Sequence, residues 1–349
     1  MSSIDIEITN RCNAKCHFCP RDATPHQGLM TTEVFDQTLL RAIEYREVAT
    51  PVLGFEPGIS LCGLGEPLLH REAANFTRQV REAGFRCSMS SNAALLDEAR
   101  GTALLEAGLQ QIYINVGDRD DAYEDVYKLP FDKTRDNVAR FVEMAGDQCE
   151  VVVVLVDYKA DKAHTSAMRE YWQSYGVTMF REYDIINRGG ALFVDHMQFE
   201  SLPQLGEAHA MLDGVNGVPI CGTPFAFLFV GYDGKYYLCC SDWKKEVSFG
   251  TVFDGSFLDI TAAKLRYVRE RGPVCRTCNL DPVNALTDAL RADADGATLG
   301  AGERDKLIAD LDQQSTGVMG VIEKLIPGVT ADDPRPVSPT RRLIPITSR

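Results

Sequence analysis

Two groups of cysteines are the residues of this sequence whose types and spacing point most directly to chemistry. The first group follows a short strand-like run at residues 4–8 and has the spacing CxxxCxxC: Cys12, Cys16 and Cys19. The second group comes later in the chain: Cys221, Cys239, Cys275 and Cys278. Cysteine thiolates are ligands for iron–sulfur clusters and for zinc. The sequence therefore predicts two metal centres.

The first group is one ligand short of a closed four-ligand site. Closed sites are typical of structural metals, whereas catalytic metals keep one position open for a substrate. A cubane iron–sulfur cluster held by three cysteines has one iron open in this way. Zinc is the alternative, but closed zinc sites usually pair two CxxC units. The spacing favours an iron–sulfur cluster with an open iron.

The second group has enough cysteines for four ligands. Asp233-Gly234, a two-residue turn signal, predicts a hairpin over residues 225–243 that brings the cysteines on either side of it together. Neighbouring strand residues point to opposite faces, so Cys239 and Cys240 cannot both bind one centre, and the Gly-x4-Cys spacing selects Cys239. A four-cysteine zinc ribbon is the alternative here.

The composition is that of an ordinary globular protein, with 45% hydrophobic and 25% charged residues among 349. A net charge of -14 argues against a nucleic-acid or anionic-membrane binder, because both need a basic patch. No apolar run is long enough to span a bilayer, and the N-terminus lacks the regions of a signal peptide. We therefore expect a cytoplasmic protein, in which thiols stay reduced. The scattered cysteines are predicted to be small buried hydrophobes: Cys62, Cys87 and Cys149.

Short apolar runs alternate with helical periodicity from residue 4 to about 183, which predicts βα units around a parallel sheet. Six strands are predicted, at residues 4–8, 59–63, 86–90, 111–116, 150–158 and 178–183. The fold class is therefore α/β, as a partial (β/α)6 TIM-like barrel followed by a small α+β domain. In such barrels the chemistry lies at the carboxyl ends of the strands.

The chain is predicted to divide into four segments: the barrel at 1–190, a linker at 191–214, the small domain at 215–290 and a C-terminal region at 291–349. The small domain consists of the hairpin and a helix at 256–271 that leads into the last two cysteines. The C-terminal region is expected to hold a flexible linker at 291–303, a helix around 305–314 and a Pro-rich tail.

The CxxxCxxC spacing directly after the first strand, with Phe18 before its last cysteine, resembles the radical S-adenosylmethionine (radical SAM) superfamily. The resemblance implies that the methionine part of S-adenosylmethionine chelates the open iron of a [4Fe-4S] cluster. It also implies that reductive cleavage then yields a 5′-deoxyadenosyl radical, with an electron donor such as flavodoxin or ferredoxin. The cofactor carries the difficult chemistry, and the protein positions it and excludes water.

Segments after three further strands resemble the parts of this family that contact S-adenosylmethionine. "GLGEP" at 63–67 resembles the motif that meets the methionine amino group, "SMSSN" at 88–92 resembles the ribose-contacting segment, and the fifth strand flanks the adenine. The residues so implied are Gly65, Glu66, Ser90, Asn92, Val154 and Leu155. The alternatives are a simple turn for the first segment, a helix N-cap at Ser91 or Asn92 for the second, and core packing for the fifth strand.

The second cysteine group resembles the SPASM and twitch extensions of radical SAM enzymes, which hold auxiliary iron–sulfur clusters. Full SPASM domains carry seven cysteines and two such clusters, but no cysteine follows Cys278 in this sequence. The resemblance therefore implies one auxiliary [4Fe-4S] cluster with four protein ligands. A fully ligated cluster suits electron transfer.

The resemblance extends to dehydrogenases of the 2-deoxy-scyllo-inosamine type from antibiotic biosynthesis. It implies hydrogen abstraction from a hydroxyl-bearing carbon of a sugar, cyclitol or nucleoside, with oxidation to a ketone. Because the sequence reaches the first strand at once, we expect no peptide-recognition domain before it. Candidate catalytic residues for proton transfer at the last strands are Arg181, Glu182 and Arg188.

Three alternatives remain open from the sequence. The same radical is able to dehydrate a 1,2-diol or decarboxylate a uronic acid without net oxidation. A peptide maturase would act on a ribosomal precursor peptide instead of a small molecule. A zinc-binding module without catalysis would contain neither iron nor sulfide.

Overall fold

The computed structural model of the chain describes residues 3–213, 219–294 and 300–329. All six predicted barrel strands are present, within two residues of their predicted bounds. They are β1 (Ser3–Ile6), β2 (Gly58–Leu61), β3 (Cys87–Ser91), β4 (Gln111–Asn115), β5 (Glu150–Asp157) and β6 (Met179–Asp184). Three further strands follow: β7 (Phe227–Val230), β8 (Lys235–Tyr237) and β9 (Ser248–Thr251).

Helices connect the barrel strands and continue beyond them. In the barrel they are α1 (Thr32–Leu53), α2 (Ala73–Glu82), α3 (Glu98–Glu106), α4 (Asp120–Tyr127), α5 (Phe131–Ala145) and α6 (Lys162–Gln173). After it come α7 (Gln204–Asp213), α8 (Thr223–Ala226), α9 (Phe257–Arg269), α10 (Pro273–Thr277), α11 (Pro282–Ala294) and α12 (Ala301–Leu325). No helix in the described part of the chain combines the length and apolar character that a membrane crossing needs.

All nine strands belong to one sheet, in the order β6-β5-β4-β3-β2-β1-β7-β8-β9. The first six pair in parallel, as the partial-barrel prediction requires. β7 also pairs in parallel with β1, and β8 and β9 then run antiparallel. We call residues 219–294 and 300–329 the second region, and backbone hydrogen bonds between β7 and β1 join it to the barrel.

The two faces of the parallel sheet differ in polarity. One face packs on the helices and contributes apolar residues such as Ile6, Leu61, Met89 and Ile114 to the core. We call the opposite face the interior face. Its residues alternate with the core residues and include Asp5, Ser60, Ser88, Ser90, Tyr113, Asn115, Val154 and Arg181. A row of polar side chains thus crosses the middle of the partial barrel.

The predicted hairpin is present, but its loop is longer than predicted. Val230 pairs with Tyr236, and the amide of Gly231 donates to the carbonyl oxygen of Lys235 at 3.0 Å. The loop between these residues has three members and ends at Gly234, whose φ of 74° lies in the left-handed region. A type I turn followed by a left-handed glycine is the usual form of a three-residue hairpin loop.

Two predicted linkers contain ordered helices. α7 lies inside the segment 191–214 and packs against α11. α11 extends to Ala294 and α12 begins at Ala301, so both ends of the predicted linker at 291–303 are helical. α12 is longer than the helix predicted at 305–314 because its apolar residues, such as Ile322, pack into the core of the second region. The Pro-rich tail lies outside the described residues.

Candidate active site

The first cysteine group lies on the loop that leaves the carboxyl end of β1. All three thiols are partly buried: Cys12, Cys16 and Cys19. The loop is held against the end of α4, where the amides of Lys15 and His17 donate to the carbonyl oxygens of Tyr127 (3.0 Å) and Val126 (3.1 Å). Backbone hydrogen bonds therefore position the group where the chemistry of a parallel barrel is expected.

Phe18, the aromatic residue of the motif, packs beneath this loop. Its ring stacks on Tyr158 with a centroid distance of 5.3 Å and meets the edge of Tyr127 at 5.6 Å. The hydroxyl of Tyr158 in turn donates to the buried carboxylate of Asp118 at 2.9 Å. The ring thus anchors the cysteine loop on α4 and on the end of β5.

The three thiols of the first group lie close enough to influence one another's ionisation. Burial is the largest cause of a raised pKa at Cys16, and the neighbouring thiols Cys19 and Cys12 raise this pKa further. Burial and Cys12 likewise raise the pKa of Cys19 to about 11. The guanidinium of Arg21 opposes these shifts and also donates to the carbonyl oxygen of Cys12 at 2.8 Å. Three crowded thiols of this kind become thiolates readily only with further positive charge, which a metal centre supplies.

The carboxylate of Glu66 is buried and links the loop after β2 to the end of β3. Its Oε1 accepts hydrogen bonds from the Ser91 hydroxyl (2.9 Å) and the Leu68 amide (3.0 Å), and its Oε2 accepts one from the Asn92 amide (2.7 Å). Burial raises the pKa of Glu66 to about 6, against the effect of these bonds. A carboxylate has about four acceptor positions, so Glu66 retains capacity for an ammonium group.

Gly65 is required because two loops meet there. A Cβ atom at this position would lie 2.5 Å from the carbonyl oxygens of Thr9 and Arg11, at the start of the cysteine loop. The amide of Glu66 donates to the same Arg11 oxygen at 2.8 Å. The glycine therefore lets the GLGEP loop contact the cysteine loop directly.

Asn92 lies beside the first cysteine group, and Ser90 lies on the interior face. The Asn92 side-chain amide donates to Asn13 Oδ1 at 2.9 Å and lies 3.9 Å from Cys12 Sγ. Ser90 Oγ accepts from the side-chain amide of Asn115 at 3.1 Å. The next helix, α3, is capped by Asp97, so neither Ser91 nor Asn92 serves as a helix N-cap.

Neighbouring residues of β5 and β6 separate onto opposite faces of the sheet. Val154 pairs with Arg181, and both belong to the interior face. Leu155 packs in the core on the helix side. Glu182 also faces the helices, where its carboxylate accepts a hydrogen bond from Arg169 of α6. Of these predicted site residues, Val154 and Arg181 face the interior of the barrel, and Leu155 and Glu182 do not.

Arg188 lies between the two cysteine groups. Its backbone adopts a positive φ of 54°, and its guanidinium carbon lies 5.3 Å from the centroid of the Trp243 ring. Its positive charge opposes the rise in pKa of two thiols, Cys19 of the first group and Cys240 beside the second. Arg188 is therefore placed to affect charge at both groups.

The four cysteines of the second group line one cavity. They come from the chain before α8, the end of β8 and the region of α10: Cys221, Cys239, Cys275 and Cys278. Burial raises the pKa of each of these thiols. Within the described ranges no three His, Cys, Asp or Glu side chains are arranged to hold a single metal ion. The thiols surround a space, as the ligands of a cluster with several irons do.

Cys240 does not line this cavity and points towards β1. Its thiol interacts with the carboxylate of Asp5 and with the thiols of Cys62 and Cys221. Asp5 is 7% exposed, and burial raises its pKa to about 6 against hydrogen bonds from Ser3 and Cys62. Sequence reasoning missed Asp5, although the alternation in "IDIEI" places two acids on one face of a buried strand.

The second acid of that strand, Glu7, forms a buried ion pair with Lys245 of the second region. The pair is almost completely buried, with side-chain exposures of 0% and 5%. Burial raises the pKa of Glu7, and the charge of Lys245 opposes the rise. Glu7 Oε1 also accepts from the Leu64 amide at 3.0 Å, and Lys245 Nζ lies 4.3 Å from the centre of the Tyr237 ring. This pair joins the GLGEP loop, β1 and the second region.

Comparison with known families assigns both regions. The model of the radical SAM superfamily matches residues 6–162, and the model of the SPASM iron–sulfur cluster-binding domain matches residues 221–279. The tungsten-containing aldehyde ferredoxin oxidoreductase cofactor-modifying protein of Pyrococcus furiosus is 28% identical over 117 residues, which cover 33% of this chain and 31% of that protein. The chain spans about a third of the length of the curated relatives it matches.

Solved structures share the fold over most of the chain. BtrN in complex with AdoMet and 2-DOIA is 19% identical with a TM-score of 0.51, over 80% of this chain and 93% of BtrN. SuiB of Streptococcus suis, bound to the precursor peptide SuiA, is 13% identical with a TM-score of 0.56, over 80% of this chain and 70% of SuiB. At these identities the likeness concerns the fold alone.

The two matched domains imply a SAM-binding [4Fe-4S] cluster, S-adenosylmethionine and auxiliary iron–sulfur binding. The residues present fit these groups. Three thiols on one loop lie next to Asn92 and the buried Glu66, and four thiols surround a separate cavity. The chain therefore contains a radical SAM domain over residues 6–162 and a SPASM iron–sulfur cluster-binding domain over residues 221–279.

Proposed function

We propose that the protein oxidises a hydroxyl-bearing carbon of a small polyhydroxylated molecule, such as a sugar, cyclitol or nucleoside, to a ketone. When bound, the cofactors supply a 5′-deoxyadenosyl radical for hydrogen-atom removal and a second cluster that accepts one electron. The loss of one hydrogen atom, one electron and one proton converts the alcohol to the ketone. The protein must therefore supply a polar binding surface and a proton acceptor.

The polar interior face of the partial barrel is the observation that carries this proposal. Hydroxyl, amide and guanidinium groups occupy this face at Ser90, Tyr113, Asn115 and Arg181. Side chains of these types hydrogen-bond the hydroxyl groups of a sugar or cyclitol. An apolar substrate bound against this face would take these polar groups out of water without offering them partners, which is costly.

Asp5 is the residue we assign as proton acceptor. It lies on the interior face and is close to Cys240, the neighbour of the Cys239 thiol in the second group. A pKa of about 6 leaves its carboxylate ionised at neutral pH and basic enough for general-base catalysis. Arginine side chains stay protonated, so Arg181 and Arg188 are assigned to binding and charge stabilisation rather than to proton acceptance.

The similarity in fold to BtrN supports a small-molecule substrate. BtrN, a dehydrogenase, was solved with AdoMet and 2-DOIA, and it matches 80% of this chain. The second cysteine group here supplies four thiols around one cavity, so we propose one auxiliary cluster with four protein ligands. Such a cluster has no iron free to bind substrate and suits electron acceptance.

A peptide substrate is the second candidate, favoured by a different observation. β6 is the last strand of the sheet, and five of its six residues are exposed. An exposed strand edge is a common docking site for an extended peptide. SuiB, which shares the fold, was solved with its precursor peptide.

One experiment separates these functions. The full chain is reconstituted anaerobically with iron and sulfide, and a panel of cyclitols, amino sugars, nucleosides and peptides is incubated with S-adenosylmethionine and a reductant. We expect a cyclitol, sugar or nucleoside to stimulate 5′-deoxyadenosine formation and to yield a product lighter by two hydrogens. A product that has lost water or carbon dioxide, or turnover with peptides alone, would contradict the dehydrogenase proposal. A colourless protein with zinc and no iron would contradict radical chemistry altogether.

A further inference from the structure

Lys264 is a buried lysine of α9 to which the proposed function assigns no role. Its side chain is 1% exposed, so its ammonium group is removed from water. Its Nζ donates one hydrogen bond, to the carbonyl oxygen of Pro224 at 3.3 Å. Among the described residues no aspartate or glutamate lies within ion-pair distance of it. A buried cation with a single neutral acceptor is costly to keep charged.

The second cysteine group lies beside this lysine. Pro224, which accepts its hydrogen bond, is part of the wall of the four-cysteine cavity. The Cys239 thiol is the titratable group whose charge interacts with Lys264. Leu265, the residue after it in α9, belongs to the same apolar cluster as Cys239 and Cys275. The ammonium group is therefore buried next to the Pro224 wall of the four-cysteine cavity.

We infer that the ammonium group of Lys264 is the counter-charge of an iron–sulfur cluster held by the four cysteines of this cavity, and that it raises the reduction potential of that cluster. The inference rests on the proposed assignment of these cysteines as cluster ligands. Four thiolates make such a centre negative, and reduction adds one more negative charge. A buried cation nearby favours the reduced form because low-polarity surroundings screen the interaction poorly. The lysine would thus favour electron acceptance from the substrate.

The test measures the potential and not turnover. The full chain is reconstituted as wild type, Lys264→Met and Lys264→Arg, each in a Cys12→Ala/Cys16→Ala/Cys19→Ala background that isolates the second cluster. Lys235→Met, which removes a half-exposed lysine of β8, the strand that precedes Cys239, is the matched control. Redox titration followed by electron paramagnetic resonance gives the ratio of reduced to oxidised cluster at a fixed potential.

We expect Lys264→Met to lower that ratio by about tenfold, since it removes a full buried charge. Lys264→Arg and Lys235→Met are expected to stay close to wild type. An unchanged ratio in Lys264→Met, with its iron content intact, would overturn the role of Lys264. If the wild-type background binds no iron and sulfide, the ligand assignment of the cysteines fails instead, and the two failures are distinguishable by this count.

A second variant covers poor folding of Lys264→Met. Lys264→Gln keeps a polar, uncharged side chain and is expected to shift the ratio in the same direction. Loss of the cluster in both neutral variants but not in Lys264→Arg would also support the need for a charge. Loss of the cluster in all three would show that the shape of the side chain matters and not its charge, and would overturn the inference.

Discussion

The two cysteine groups differ in how they are built. The first lies on one loop, between residues 12 and 19, and its thiols remain partly exposed next to the interior face. The second is gathered from three separate segments, and three of its four thiols are at most 7% exposed. A short loop leaves one side of a metal centre open, whereas segments arriving from several directions close it. The difference suits one centre for binding S-adenosylmethionine and another for holding an electron.

The largest expected effect comes from removing one cysteine from each group. Cys16→Ala should reduce cleavage of S-adenosylmethionine to background and leave about half of the iron, because one of two four-iron clusters remains. Cys239→Ala should lose the other half of the iron and still cleave S-adenosylmethionine, while ketone formation stops. Iron and sulfide counts with 5′-deoxyadenosine and product analysis measure both. Equal loss of cleavage in the two variants would mean that the groups do not act separately.

Substitution of Asp5 tests its assignment as the proton acceptor between the two cysteine groups. We expect Asp5→Asn to lower ketone formation by about 100-fold, the size of a lost general base, with cleavage of S-adenosylmethionine retained. Burial raises the pKa of Asp5 to about 6, so the basic carboxylate is lost as pH falls through that value. Turnover of the wild type should therefore fall below pH 6 and stay level above about pH 7. An unchanged rate in Asp5→Asn would place the proton acceptor elsewhere.

Substitutions at Glu7 and Lys245 test how much their ion pair stabilises the contact between the barrel and the second region. Lys245→Met leaves a buried carboxylate without its partner and should lower the free energy of unfolding by about 3 kcal/mol. The double variant Glu7→Gln/Lys245→Met should recover most of this loss, since no unpaired charge remains. Denaturant unfolding of the wild type, the two single variants and the double variant gives the coupling free energy between the two side chains. Additive losses would show that the two side chains do not depend on each other.

The smallest expected effect comes from removing a hydrogen bond between α12 and the chain next to Cys221. Ser315 Oγ of this helix accepts a hydrogen bond from the Ile220 amide at 3.0 Å, directly before Cys221. Ser315→Ala should cost about 1 kcal/mol of stability and speed the bleaching of the second cluster in air. Ser166→Ala, which removes an exposed hydroxyl of α6, serves as control. Equal bleaching rates in the two variants would indicate that α12 does not protect this site.

Much of the fold was predictable because strong local patterns determine it. Each barrel strand was predicted from a short local pattern, and each lies within two residues of its predicted bounds. The structure places Cys239 in the wall of the cavity and Cys240 outside it, near Asp5, while the choice of Cys239 as a ligand stays a prediction. Both residues follow β8, which ends at Tyr237, so the turn after the strand separates their side chains and strand alternation does not.

Predictions at single residues of the last barrel strands were less complete, because the sequence does not reveal which face of an exposed strand turns inward. Arg181 and Glu182 have similar polarity, yet only Arg181 belongs to the interior face. Leu155 and Val154 are both apolar, and their faces differ in the same way. The register with the neighbouring strand decides between them, and register is a tertiary property.

The sequence by itself determined the two cysteine groups, the parallel barrel and the family they indicate, because these depend on spacing and periodicity within short segments. Only the tertiary structure decided that β7 continues the barrel sheet, that Asp5 lies near Cys240, and that Lys264 lies beside the four cysteines. Each of these facts brings together segments far apart in the chain. Their placement follows from burial and strand pairing across the whole molecule, which local sequence patterns do not specify.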